Sequence, residues 1–365
     1  MRLQSSDSVI QEFLEPAVQK LPERAITANT TAGKVFFEYA SFCKTQLEDQ
    51  HAILDTKRME NLYKTKQEEV VQLKDALRVA RQAKVPDQTE IDRIIRDRGK
   101  ALKMQNSDKA ELQRLHTMRH TFLHKAIENF LKCFSASSEF DQHVPKFCAI
   151  WLKHSKDESL QRIVRNLLPS VPSYKFLPLM HQLCSRLSRD VDDFQASLHE
   201  LVGRICTDHP LHSLHQIFGT GAVIPAGDSV AESRSSAAQQ LIERLNRTSK
   251  LKDLSPRIRI MFSSYSDLAN VPLQRDERRK EYLLSTFPKT RRFRKSLQEL
   301  HVPPPSLDLP ISPDCDYSRV PYVQKYHEAF KVASGLNIPK ILDLVLSNGN
   351  NVRELVFHVL YAINP

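Results

Sequence analysis

The chain has 365 residues, 41% of them hydrophobic and 26% charged, and carries a formal net charge of +10. That length buries one large core or two smaller ones, and a content of only eight glycines argues against a sheet-and-turn protein, so a mostly α fold is expected. No run of about 18 apolar residues is present, and the N-terminal MRLQSSDSVIQEFLEPAVQKL lacks the apolar core of a secretory signal, which predicts an intracellular protein with no membrane partner.

From Ser8 to Glu48 the apolar spacing is helical, with Phe36, Phe37, Tyr39, Ala40, Phe42 and Cys43 supplying a bulky face; Pro16, Pro22 and Gly33 are expected to break it into short pieces. Residues 50–134 are long and charged, with a break at Pro86, and read as two antiparallel helices in a protruding hairpin. A heptad coiled coil is set aside because the apolar repeat is not sustained over three or four heptads. Next come three apolar sets stepping by three and four. They are Leu160, Ile163, Val164 and Leu167; then Phe176, Leu179, Met180, Leu183 and Leu187; then Phe194, Leu198, Leu201, Val202 and Ile205. Ser155 and Glu158 form a capping box before the first set, Ser173 is the N-cap expected for the second, and Pro210 opens a further helix. Short links favour antiparallel neighbours, so this stretch predicts an α-solenoid of helical hairpins.

Residues 219–236, GTGAVIPAGDSVAESRSS, have a surface-loop composition and are expected to be mobile. Helices are expected again at Ala237 to Leu245, Arg257 to Leu268, Arg278 to Phe287 and Phe293 to Leu300. From Arg275 to Lys295 nine basic residues face three acidic ones, a patch holding most of the net charge. Six prolines between 303 and 321 then exclude regular helix and mark a boundary, after which Val323 to Val332 and Pro339 to Val345 are expected as strands turning through Ser334, Gly335 and Asn337.

No catalytic triad, paired carboxylates or metal set can be defended from spacing. The scattered Cys43, Cys133, Cys148, Cys184, Cys206 and Cys315 read as reduced, buried thiols, and His209, His212 and His215, with His199 upstream, are assigned no metal. The run Lys289, Arg291, Arg292, Arg294 and Lys295 offers phosphate contacts or a nuclear localisation signal, against the plainer reading of a solvated helix face. On the residues alone, the competing readings are a non-enzymatic helical adaptor and a basic-patch nucleic-acid binder.

The wording of several phrases goes further. KFCAIWLKHS, VPSYKFLPLMHQLCSRL and FQASLHELVGRICTDHPLHSLHQIF resemble the FAT region of the ATM/Tel serine/threonine kinases, phosphoinositide-kinase-related kinases, and GKVFFEYASFCKTQLED resembles the same family in filamentous fungi. VPPPSLDLPISPDCDYSRVP followed by FKVASGLNIPKILDLVLSNG resembles the entrance to that family's kinase domain. The resemblance implies a FAT-like helical scaffold over 1–300, a Pro-rich linker over 301–322, the start of a kinase N-lobe over 323–349 and a divergent tail over 350–365.

It further implies that backbone amides near Ser334 and Gly335, with the charge of Lys340, face nucleotide phosphates. In the family, ATP and magnesium serve phosphorylation of Ser or Thr followed by Gln in the nuclear DNA double-strand-break checkpoint and in telomere maintenance. Homodimerisation and a DNA-end-sensing repair complex are its implied partnerships. After Gly349 this chain reads NNVRELVFHVLYAINP, where the family carries its ATP-binding lysine and then its catalytic loop and metal-binding Asp. The expectation is therefore a truncated kinase fragment that needs the remainder of the kinase domain, binds no cofactor and is inactive alone.

Overall fold

The computed structural model describes residues 8–19, 30–83, 87–222, 227–271, 281–290, 301–305, 307, 309, 311, 319–332 and 340–356. The chain forms two compact units, residues 1–154 and 155–365.

In the first unit a π-helical turn, Ile10–Leu14, runs into α1 (Glu15–Gln19), followed by α2 (Thr30–Glu48), α3 (Gln50–Gln82), α4 (Gln88–Ala136) and α5 (Val144–Lys153). Asp49 and Asp87 open the two long helices, accepting from the His51 and Thr89 amides at 3.0 and 2.9 Å. These caps satisfy donors that every helix start leaves unpaired. The core gathers where α2 lies against the second half of α4. Phe36, Tyr39, Ala40 and Cys43 are buried from one side, and Phe122, Ala126, Ile127, Phe130 and Phe134 from the other. An aromatic chain continues it into α5, with ring centroids 5.8 Å apart for Phe130 and Phe134, 6.1 Å for Phe134 and Phe147, and 6.0 Å for Phe147 and Trp151. Each such ring removes 150–250 Å² from water, roughly, which makes this the stabilising half of the unit.

The other half is a thin antiparallel hairpin, as the Glu60 carboxylate 3.5 Å from His116 Nε2 requires. Its less exposed positions step by four and three along α3, from Ala52 through Thr56, Met59, Tyr63, Lys66, Val70 and Leu73 to Leu77. On α4 they step from Ile91 through Ile94, Arg98, Ala101, Gln105, Asp108 and Leu112 to Leu115. The heptad spacing set aside on hydrophobicity is therefore present in the geometry. An apolar count does not show it, because Thr56, Lys66, Arg98, Gln105 and Asp108 occupy seam positions, and Thr56 satisfies its hydroxyl within the helix by donating to the Ala52 carbonyl at 2.8 Å.

Gly33 is likewise not a break. It lies inside α2, where a Cβ would come within 2.6 Å of the Ser137 Cβ, so its missing side chain admits a close approach.

In the second unit α6 (Glu158–Leu167) is capped by Asp157, whose carboxylate accepts from the Leu160 amide at 3.0 Å, and not by the Ser155 box: the aspartate lies directly at the helix start. The second expected helix is a 3-10 segment, Ser173–Leu179, leading into the short α7 (Met180–Ser185). Pro178, inside the segment, has no N–H for an α-helical bond. Ser173 serves as a strut, its Oγ donating to Asp208 Oδ2 at 2.7 Å. There follow α8 (Asp193–Asp208, capped by Asp192), α9 (Pro210–Ala222), α10 (Ser229–Asn246) and α11 (Leu254–Ala269).

The loop expected over 219–236 is largely helix. Residues 219–222 finish α9, and Asp228 opens α10 by accepting from the Val230 and Ala231 amides at 3.0 and 3.1 Å. The small residues of this stretch serve packing: a Cβ on Gly221 would stand 3.2 Å from Ile242 Cδ1. Apolar stripes from all these helices meet in one core that includes Leu160, Phe176, Leu183, Leu198, Ile205, Ile217, Leu241, Ile258 and Leu268. Across it, Arg204 of α8 donates to the Leu168 and Val171 carbonyls at 3.0 Å, closing the chain end that leaves α6.

The histidines near α9 are packing groups. His209 is buried with its ring edge-on to His212, and the half-buried His215 lies against Phe262 at 6.5 Å. Desolvation by burial holds the imidazoles of His199, His209 and His215 below their ordinary range, more than offsetting the Ser188 carbonyl at His199 and Asp208 beside His209. Cys43, Cys133, Cys148, Cys184 and Cys206 are free and buried, and desolvation pushes the Cys43, Cys148 and Cys206 thiols up to about 12.

Two tests follow from this packing. Gly33→Ala gains about 1 kcal/mol of helix propensity but overpacks Ser137 at about 1–3 kcal/mol. Urea unfolding should therefore show net destabilisation, relieved in the Gly33→Ala/Ser137→Gly double variant; a more stable single variant would contradict the close approach. For the buried histidines the unfolded chain takes up protons first, so stability is present above the ordinary imidazole range of about 6.5 and is lost as pH falls below it. The urea midpoint should be lower at about pH 5.5 than at pH 7, and His215→Leu should narrow that difference.

Candidate functional site

The region with candidate chemistry is the sheet that follows the helices. Its order is β1 (Glu281–Leu283), β2 (Val323–Val332), β3 (Lys340–Leu346) and β4 (Asn351–Val356), every neighbouring pair antiparallel. Strand β2 forms as expected, and β3 is present over the described part of its expected range, from Lys340, with Pro339 outside the described residues. The helix expected over Arg278 to Phe287 is corrected in its described part, where 281–283 pair with Ala329, Phe330 and Lys331 of β2. Tyr282 lies 5.8 Å from the Phe330 ring and Phe287 lies 5.8 Å from it also, so aromatic burial on a sheet edge outweighs the local helical pattern.

Strand β4 was missed. Residues 351–356, expected as part of a divergent tail, pair with β3 from Val345↔Asn351 to Lys340↔Val356. An available signal was Asn348-Gly349, a hairpin-turn dipeptide; Gly349 has φ +84°, which a glycine adopts without the strain of a Cβ. The turn is closed by the Leu346 amide donating to the Asn350 carbonyl at 2.8 Å, and Ser347 exchanges bonds with the Tyr322 backbone.

Burial alternates along β3. Lys340, Leu342, Leu344 and Leu346 point inward, while Ile341, Asp343 and Val345 lie on the half-exposed face. On that outer face Asp343 bridges its neighbours, one oxygen 3.3 Å from Arg353 Nε and the other 3.4 Å from Lys331 Nζ. Burial opposes ionisation of Asp343, but these two hydrogen bonds outweigh it and hold the carboxyl below its usual range.

Of the three expected phosphate-facing residues, Ser334 and Gly335 lie outside the described residues. Lys340 is described, and its position departs from the expectation. Its side chain is 1% exposed, and Nζ donates to the Ala269 and Val271 carbonyls at 2.5 and 2.9 Å. The physical reason is the strand's two-residue period, which turns position 340 to the same side as Leu342 and Leu344. Burial pushes the ammonium down to about 8. The basic patch between Arg275 and Lys295 lies mostly outside the described residues, as does the helix expected over Phe293 to Leu300.

No protein-family model matches the chain. The serine/threonine-protein kinase tel1 of Emericella nidulans is 35% identical over 357 residues, covering 97% of this chain and 12% of that protein. Among solved structures, the FAT and kinase domain of CtTel1 superposes with a TM-score of 0.80 at 33% identity, over 97% of this chain and 23% of that one. The complete CtTel1 dimer with C2 symmetry gives 0.81 at 33% identity, over 98% of this chain and 12% of its own. The chain thus spans about one eighth of the curated relatives it matches. Over nearly all of its length the chain is a homologue of the Tel1/ATM serine/threonine protein kinases.

Proposed function

We propose that this chain supplies the helical scaffold and the kinase-domain entrance of an ATM/Tel-type serine/threonine kinase that acts in the nuclear DNA double-strand-break checkpoint and in telomere maintenance. The observation that carries the reading is that one relationship runs unbroken through both parts of the chain, the helical array and the four-stranded sheet, at 33% identity to a solved FAT and kinase domain. A helical array with no defensible catalytic set is suited to holding a partner domain, and a sheet with antiparallel hairpins is suited to presenting a loop to phosphate.

In this reading the backbone near Ser334 and Gly335 faces the phosphates of ATP, because small residues let N–H groups approach an anion. Magnesium and the groups that orient the accepting hydroxyl belong to the rest of the kinase domain. A phosphate contact from Lys340 would require its ammonium to leave the two carbonyls that now hold it. Homodimerisation and association with a DNA-end-sensing repair complex are proposed on the same kinship; the CtTel1 dimer supports the first.

The test is a chimaera in which this chain replaces the matching segment of a filamentous-fungal Tel1. The purified protein should form the parent's dimer by light scattering and phosphorylate a Ser-Gln peptide with ATP and magnesium. A dimer of parental mass and thermal stability that transfers no phosphate would remove the reading. Gly335→Val in the active chimaera should raise KM for ATP by about tenfold or more, the scale of displacing an amide–phosphate bond.

A further inference from the structure

Lys340 is among the largest fully buried side chains of the molecule, and burying an ammonium costs several kcal/mol unless its donors are satisfied. Two of its three donors meet backbone carbonyls where α11 ends, Ala269 and Val271. A helix end leaves carbonyls without intrahelical partners and carries partial negative charge, so a cation is favoured there. The remaining closures at this end are local: the Asn270 amide donates to Ser266 O at 3.1 Å and the Val271 amide to Leu268 O at 3.2 Å. Lys340 therefore completes the cap of α11 from a strand 69–71 residues further along the chain. It is also paired on both sides of β3, with Val332 of β2 and Val356 of β4.

We propose that Lys340 is a latch joining the end of α11 to the sheet, so that the helix terminus and both sheet hairpins loosen as one unit. The bond geometry favours this over a second possibility, a lysine that happens to pack near the helix: two bonds, to the Ala269 and Val271 carbonyls on either side of Asn270, need the ammonium at one point in space. The cap also gives the buried charge its compensation, and ties the start of β3 to the helical body. The inference stands on this geometry and does not depend on the kinase reading; if that reading holds, Lys340 acts on the nucleotide loop by fixing the strand that leaves it.

Hydrogen exchange followed by mass spectrometry on the full chain tests the latch, with Lys340→Met and Lys340→Arg. The methionine keeps the length and loses the donors. It should speed exchange at the amides of residues 266–271 and of β3 together, by about tenfold or more, the scale of losing a charged hydrogen bond. Amides in the middle of α8 should keep their protection, and arginine should restore part of the loss at both places. Acceleration at only one of the two places, or none, overturns the proposal. Should the methionine variant not fold, low urea on the unaltered chain decides: the α11 end and β3 should open with one common free energy, and separate values refute the latch.

Discussion

An amphipathic helix has one stripe to bury and no means of burying it alone, and that constraint governs both units. In the second unit α6 to α11 each carry apolar residues three and four apart, and their burial is mutual: Leu198 and Ile205 of α8, Ile217 of α9 and Leu241 of α10 are all 2% exposed or less. Each fully buried aliphatic side chain contributes roughly 1.5–3 kcal/mol, so a helix of this array has little reason to persist apart from its neighbours. Aspartate caps at Asp157, Asp192 and Asp228 then define where each helix begins.

The first unit shows the same constraint met unevenly. Around Phe130 and Trp151 an aromatic chain fills the space between α2, α4 and α5. Along the hairpin, by contrast, buried residues such as Leu77 and Ile91 are few, with none on α3 between Thr56 and Leu77, and Lys66, Arg98 and Asp108 share the seam. Few buried apolar contacts mean low local stability, so the hairpin's far end should open long before its base does.

The sheet adds a different kind of cohesion. Its strands are held to one another by ladders, by the Tyr282, Phe287 and Phe330 cluster, and on the outer face by the bridge from Asp343 to Lys331 and Arg353. That bridge is largely solvated and contributes little by itself. The inner face matters more, where Lys340, Leu342 and Leu344 are buried, and where a charge is kept in the interior because carbonyls at a helix end accept its hydrogen bonds. Kinship with the Tel1/ATM kinases gives this arrangement a context, since the FAT and kinase domain of CtTel1 matches 97% of this chain, helical body and sheet together.

The amino-acid sequence by itself determined most of the helical stretches and which family its phrases resemble, because apolar period and capping residues act over a few positions; the sheet, however, already takes in 281–283, before the proline cluster. Local reading failed at Pro178, at Gly33 and over 219–236, where small or helix-breaking residues are tolerated for the close packing they allow or are absorbed into a 3-10 turn. Only the tertiary structure decided that 281–283 is a strand, since the ladder that outweighs its local preference comes from residues some fifty positions away. The same holds for Lys340. The family resemblance implied a cation facing phosphate; the two-residue period of β3 and the end of α11 bury it against two carbonyls, a result of contacts that no local reading of residues contains.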